Sequence, residues 1–108
     1  MRIETYGQQI EVTPALREYV ENKLARLERH CEQPFEVRTQ LSLDKPNHRA
    51  KATITIAGRT LHADAAAIDM YAAIDLLSDK LDRLLREHRS KVVDHHRGES
   101  AARSETFG

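Results

Sequence analysis

Apolar and polar residues alternate along the middle of the chain, in three consecutive segments. The segments are Phe35–Leu43, Ala50–Ile56 and Leu61–Ala65. A period of two predicts strands with one buried face and one polar face. Thr39 lies on the apolar side of the first segment and is the exception to its alternation. Turn-forming residues at Asp44–Asn47 and Gly58 separate the strands and predict hairpins.

Two further segments carry apolar residues at helical spacing. Residues 13–30 are predicted as a helix, with Thr13 as N-cap and Pro14 at the first helical position. Its apolar stripe is Leu16, Val20, Leu24 and Leu27. The second helix is predicted from an Asp69 cap to about residue 90, or one turn further through Val92. Its stripe is Met70, Ala73, Ile74, Leu77, Leu81, Leu84, Leu85 and His88.

A short β-prone segment, Arg2–Tyr6, precedes the first helix, so the predicted order is β-α-β-β-β-α. Because the sheet has one apolar face and both helices have one apolar stripe, we expect a two-layer α+β domain. Its four-stranded sheet carries both helices on one face. Residues 1–92 are assigned to this domain. Residues 93–108 are small and polar without periodicity, which predicts a flexible C-terminal tail.

The composition supports one cytoplasmic domain. The 108 residues are 40% hydrophobic and 31% charged, and one domain commonly holds ~100–150 residues. No segment reaches the ~20 apolar residues of a membrane helix, and the N-terminus lacks the apolar region of a signal peptide. The single Cys31 cannot form an internal disulfide, which fits a reducing compartment.

The charges cancel over the chain but not along each helix. There are 17 Lys+Arg and 17 Asp+Glu, whereas nucleic-acid binders are usually basic. At about 100° per residue, each helix has a basic flank on one side of its apolar stripe and acids on the other. The basic flanks are Lys23, Arg26 and Arg29, and Lys80, Arg83 and Lys91; the acids are Glu18, Glu21 and Glu28, and Asp75, Asp79 and Asp82.

Two interpretations of these flanks stay open. They are either solvated surfaces with pairs such as Asp79–Arg83 at i,i+4, or phosphate-binding surfaces. If the two flanks face the same way, they form one ridge suited to a nucleic-acid backbone. The predicted sheet lacks a pair of exposed aromatic residues, so it does not resemble a base-stacking platform.

The six histidines and Cys31 form no pattern typical of catalysis. His95 and His96 are adjacent rather than four apart, without ligands at zinc-site spacing. His30 precedes Cys31, but nothing orients the two as a catalytic pair, and no glycine-rich phosphate loop is present. We therefore expect no enzyme activity, no metal and no cofactor.

Two longer motifs carry a family resemblance. The run Asp69–Asp75, DMYAAID, continues as LLSDKLDR, and the first helix contains VTPALREYV and KLARLE. These motifs resemble the ribosome hibernation-promoting factor family, and the resemblance spans residues 1–92. It implies the same element order and a fold similar to a double-stranded-RNA-binding domain.

The resemblance also implies a function. Members bind the 16S rRNA of the small ribosomal subunit between head and body, where messenger RNA and the A- and P-site transfer RNAs lie, and silence idle ribosomes. It places the rRNA contacts at Lys23, Arg26, Arg29, Lys80, Arg83, Arg89 and Lys91. Arg89 lies off the basic flank, and Glu87 stands where relatives carry lysine. Tyr71 either packs at the helix edge or helps to shape the rRNA-facing surface.

Family members differ in how they act on ribosomes. Long members add a dimerising domain, which we expect this chain to lack. Some short members promote inactive 100S dimers of 70S ribosomes together with a ribosome modulation factor; a paralogue with an acidic tail keeps 70S ribosomes as inactive monomers. The last twelve residues here contain two Arg and two Glu, which favours the dimer-promoting type. The paralogous type is the alternative, and we expect a monomer when the protein is off the ribosome.

Overall fold

A computed structural model describes the backbone of residues 1–31 and 33–101 and the side chains of residues 1–31 and 33–88. Its elements confirm the predicted β-α-β-β-β-α order. They are β1 (Arg2–Gln8), α1 (Pro14–Ala25) with a 3₁₀ turn (Arg26–His30), β2 (Phe35–Asp44), β3 (Asn47–Ile56), β4 (Arg59–Ala67) and α2 (Met70–Ala101).

The four strands form one sheet in the order β1-β2-β3-β4. The outer strand β1 runs parallel to β2, and the other neighbours are antiparallel. The register places Val37 beside Ile54 and Ile54 beside Leu61, so the apolar positions share one face. α1 and α2 both cover this face, which confirms the two-layer α+β fold.

The core lies between the helices and this face of the sheet. Its largest fully buried side chains are Leu24, Leu27, Leu41, Ile54, Ile74, Leu77, Leu81, Leu85, Val20, Val37 and Thr39. Thr39 is 0% exposed and lies beside Thr5, which is 6% exposed. Within the described residues, neither threonine hydroxyl has a hydrogen-bond partner. Thr39, the one polar residue on the apolar face of β2, is therefore buried next to a second polar residue, Thr5.

Both predicted helix N-caps are present. The Thr13 hydroxyl accepts a hydrogen bond from the Leu16 N–H at 3.2 Å. The Asp69 carboxylate accepts one from the Ala72 N–H at 2.8 Å. Each cap pairs a backbone N–H that has no partner inside the helix, so the caps set where both helices begin.

The ends of the helices differ from the prediction. The last turn of the first helix is 3₁₀, a tightening that is common at helix C-termini. α2 continues to Ala101 instead of ending near residue 90 or 92. The apolar stripe ends there, but no proline follows, and one glycine, Gly98, costs only about 1 kcal/mol in a helix.

Residues 93–101 of the predicted tail are therefore helical. Residues 102–108 lie outside the described residues, and the flexibility of the tail stays a prediction. In the part of the chain that the structure describes, no helix is both long enough and apolar enough to cross a lipid bilayer.

Candidate nucleic-acid interface

The basic flank of the first helix lies against the acidic flank of the second. Lys23 Nζ is 3.2 Å from Asp75 Oδ1, and Arg29 Nη2 is 3.7 Å from Asp82 Oδ1. His30, in the same 3₁₀ turn as Arg29, also contacts Asp82. Two predicted rRNA-binding residues, Lys23 and Arg29, thus have carboxylate partners on α2.

The basic flank of α2 points toward the opposite side of that helix. Lys80 Nζ donates a hydrogen bond to the main-chain oxygen of Asp64 in β4 at 2.6 Å, whereas Asp75 and Asp82 contact the first helix. Among the described residues, Lys23 and Arg29 are therefore separated from Lys80 by the carboxylates of α2 and do not form one continuous ridge with it. The condition for a single phosphate-binding ridge is not met, because each helix is rotated to bury its apolar stripe.

Two of the predicted site residues carry free guanidinium groups. Arg26 and Arg83 are both exposed, and neither forms an ion pair with another described residue. The Asp79–Arg83 pair suggested by the spacing is not formed within this part of the chain. Asp82 instead pairs with Arg86 at 3.2 Å, four residues along the helix. Arg26 and Arg83 are thus available to an external anion.

Tyr19 links the helices through a contact that the sequence pattern did not reveal. Its hydroxyl donates to Asp75 Oδ1 at 2.6 Å, and its ring meets that of Tyr71 edge to face with centroids 4.9 Å apart. Lys23 Nζ lies 5.8 Å from the centre of the Tyr19 ring, within cation–π range. The only signal in the sequence was an aromatic residue at the edge of each helix's apolar stripe.

This cluster changes the proton affinity of its members. The hydrogen bond from Tyr19, and after it the Lys23 ammonium and the Arg26 charge, lower the pKa of Asp75. The same hydrogen bond, followed by burial and the negative charge of Asp75, raises the pKa of Tyr19. The ionised carboxylate and the protonated phenol therefore persist over a wide pH range around neutrality.

Tyr71 packs against Tyr19 yet remains 43% exposed. The edge-packing interpretation of Tyr71 is therefore correct, and its exposed part is still available to a ligand. Arg89 and Lys91 have side chains outside the described residues, so the structure does not place them. Glu87 is exposed and has no ion-pair partner within the described part of the chain.

The outer face of the sheet is polar, as predicted, and three of its arginines are already paired. Arg2 and Arg38 contact Glu4, and Arg49 contacts Asp64 at 3.5 Å. Tyr6, the exposed aromatic residue of this face, donates its hydroxyl to Glu4 at 2.6 Å. Lys51, also on this face, is exposed and has no ion-pair partner among the described residues. The described sheet residues offer no pair of exposed aromatic residues for base stacking.

His62 and Cys31 contact neighbouring residues, whereas the buried Nδ1 of His88 has no hydrogen-bond partner among the described residues. His62 Nδ1 lies 3.3 Å from the Thr53 hydroxyl. Cys31 packs against the core, where burial raises the pKa of its thiol. No group of three or more potential metal ligands is found among the described residues.

Comparison with known proteins gives a consistent match. Residues 3–93 match the family model described as Sigma 54 modulation protein / S30EA ribosomal protein. The chain is 42% identical over 104 residues to the ribosome hibernation promoting factor of Azotobacter vinelandii, covering 96% of this chain and 97% of that protein. It is 41% identical over 95 residues to the protein of the same name in Escherichia coli K12, covering 88% of this chain and 100% of that protein.

Two solved structures share the fold. The N-terminal domain of Thermus thermophilus Protein Y superposes with a TM-score of 0.77 at 34% identity, covering 82% of this chain and 99% of that one. A ribosomal subunit interface protein from Coxiella burnetii gives a TM-score of 0.74 at 32% identity, covering 83% and 99%.

Proposed function

The chain belongs to the Sigma 54 modulation protein / S30EA ribosomal protein family, and we propose that it is a cytoplasmic ribosome hibernation factor. It binds the 16S rRNA of the small subunit in the channel for messenger RNA and the A- and P-site transfer RNAs. Binding blocks translation in stationary phase or stress by occupying that channel. This mechanism requires a surface that fits RNA and no chemical step.

The observation that supports RNA binding is the pair of free guanidinium groups at Arg26 and Arg83. Guanidinium groups bind phosphate oxygens through two parallel hydrogen bonds. Both groups are exposed on the helical side of the domain, whereas three arginines of the opposite sheet face are paired with carboxylates. These carboxylate pairs favour the helical layer as the side that meets the phosphate backbone.

The other predicted rRNA contacts lie on the same two helices as these residues. Lys80 lies on the same flank of α2 as Arg83, and Lys23 and Arg29 lie on the same flank as Arg26. Arg89 and Lys91 extend the proposed interface along the C-terminal part of α2. Lys23 and Arg29 must exchange a carboxylate for a phosphate to contribute, so we expect them to contribute less than Arg26 and Arg83.

Cosedimentation with small ribosomal subunits tests this proposal. Arg26→Glu and Arg83→Glu are each expected to weaken binding at least tenfold. Each change should also reduce the slope of log K against log salt by about one, since one phosphate contact is lost. Arg59→Glu, the same charge change in the β3–β4 hairpin, is the matched control and is expected to retain binding.

Three results would contradict the assignment. Unchanged binding by both Arg26→Glu and Arg83→Glu would exclude these residues as phosphate contacts. An equal loss in Arg59→Glu would show that overall charge, rather than the helical surface, determines binding. Binding that survives ribonuclease treatment in the absence of ribosomal particles would indicate a protein-interaction module instead.

We further propose that this protein promotes 100S dimers together with a ribosome modulation factor. Support comes from the names of the relatives, which are ribosome hibernation promoting factors, and from the balanced charge of the last residues. The alternative is a paralogous inhibitor that keeps 70S ribosomes as inactive monomers. Sucrose-gradient profiles of stationary-phase cells separate the two: deletion of the gene removes the 100S peak in the first case and leaves it in the second.

A further inference from the structure

Carboxylates of α2 lie against the cations of the first helix. Asp75 lies 3.2 Å from the ammonium of Lys23, whose side chain is only 27% exposed. Asp82 lies 3.7 Å from the guanidinium of Arg29 and 3.2 Å from that of Arg86. α2 thus supplies an internal anion to each of the two cations that flank Arg26.

We propose that Asp75 and Asp82 compete with rRNA phosphates for the cations of the first helix and thereby set the affinity and salt dependence of binding. This inference rests on the proposed function. Carboxylates and phosphates bind the same ammonium and guanidinium groups with similar geometry. A cation that already has a carboxylate partner gains little by adding a phosphate unless the internal pair opens.

The competition has a measurable signature. The salt dependence of binding counts the phosphates that the protein neutralises, because each one releases condensed counterions. While Lys23 and Arg29 are paired with Asp75 and Asp82, each of these cations contributes less than one full phosphate contact to the salt dependence. The protein is therefore expected to show a shallower salt dependence than its number of helical basic residues suggests, and removing one carboxylate should restore one contact.

Asp75→Asn isolates this effect. The asparagine side chain has nearly the same shape, and its amide oxygen still accepts the hydrogen bond that Tyr19 donates to Oδ1 at 2.6 Å. The change removes the negative charge that lies beside Lys23 and that also acts on the Arg26 charge. Asp79→Asn is the matched control, since Asp79 is an exposed aspartate on the same helix and has no ion-pair partner among the described residues.

The experiment measures binding of the full chain to purified small subunits over a salt series. Asp75→Asn is expected to bind several-fold more tightly than the wild-type protein, with a slope of log K against log salt steeper by about 0.7–0.9. Asp79→Asn is expected to leave the slope unchanged. Adding Lys23→Gln to Asp75→Asn is expected to cancel most of the gain, because the cation that pairs directly with Asp75 is then absent.

Three outcomes would overturn the inference. Asp75→Asn could show the wild-type slope, it could show the same change as Asp79→Asn, or it could bind more weakly. The last result would mean that Asp75 positions Lys23 for RNA rather than competing for it. If Asp75→Asn fails to fold, as judged by circular dichroism, Asp82→Asn is compared with and without Arg29→Gln and Arg86→Gln, because Asp82 pairs with both guanidinium groups.

The test is separable from that of the proposed function. If the wild-type protein does not bind small subunits, the proposed function fails. If the wild-type protein binds and Arg26→Glu and Arg83→Glu weaken it while Asp75→Asn leaves the slope unchanged, only the competition is refuted.

Discussion

Thr39 places a hydroxyl group in the centre of the core, and replacing it with valine is expected to stabilise the fold. The side chain is 0% exposed, and its hydroxyl has no hydrogen-bond partner within the described residues. Valine has nearly the same shape and no polar atom, and it suits a buried strand position.

The size of the effect follows from the burial of that hydroxyl. A buried polar group without a partner costs about 1–3 kcal/mol. Because Thr5 lies beside Thr39 in the register and could reorient toward it, we expect Thr39→Val to raise the free energy of unfolding by about 1–2 kcal/mol. In a domain of this size, each kcal/mol raises the melting temperature by about 4–8 °C.

Urea unfolding followed by circular dichroism measures this change. Thr55→Val is the matched control: Thr55 is exposed on the outer face of the neighbouring strand β3, where its hydroxyl reaches water. That substitution is expected to change the free energy of unfolding by less than about 0.5 kcal/mol. The dependence of stability on urea should stay the same in both variants.

A loss of stability in Thr39→Val would refute the reasoning, because it would mean that the hydroxyl has a partner in solution. Comparing Thr5→Val, Thr39→Val and the double variant then identifies that partner. If the two hydroxyls bond each other, removing both restores the stability that removing either one loses. If they do not, the two gains add.

Two further predictions concern the helices. Asp69→Ala removes the acceptor for the Ala72 N–H and should lower the free energy of unfolding by about 1 kcal/mol, measured by thermal denaturation; a change no larger than that of Asp79→Ala would contradict the cap. Because its interactions lower the pKa of Asp75 from the ordinary 3.8, the contribution of this carboxylate to stability is present above that pH and is lost as the pH falls through the lowered pKa. Urea titrations should therefore find Asp75→Asn less stable than the wild-type protein at neutral pH, with a difference that shrinks in acid; a difference independent of pH would refute this explanation.

The elements were predictable because their signals are local. The period of apolar residues distinguishes helices from strands, and a cap residue bonds an N–H three positions away, as Thr13 and Asp69 do. The far end of α2 was not predictable from the apolar stripe, because backbone hydrogen bonds continue a helix past its last core contact. The only sign in the sequence that Thr39 is buried was its position between apolar residues on the apolar face of Phe35–Leu43.

The sequence by itself determined the element order, the caps, the face that each element buries and the separation of charge across each helix. Only the tertiary structure decided which flanks meet: Lys23 and Arg29 pair with Asp75 and Asp82 on the other helix, whereas Arg26 and Arg83 stay free of ion pairs among the described residues. The reason is geometric. The sequence of a helix determines on which side of that helix a charge lies. The partner of the charge depends on how two helices, distant in the chain, rotate to bury their apolar stripes on one sheet.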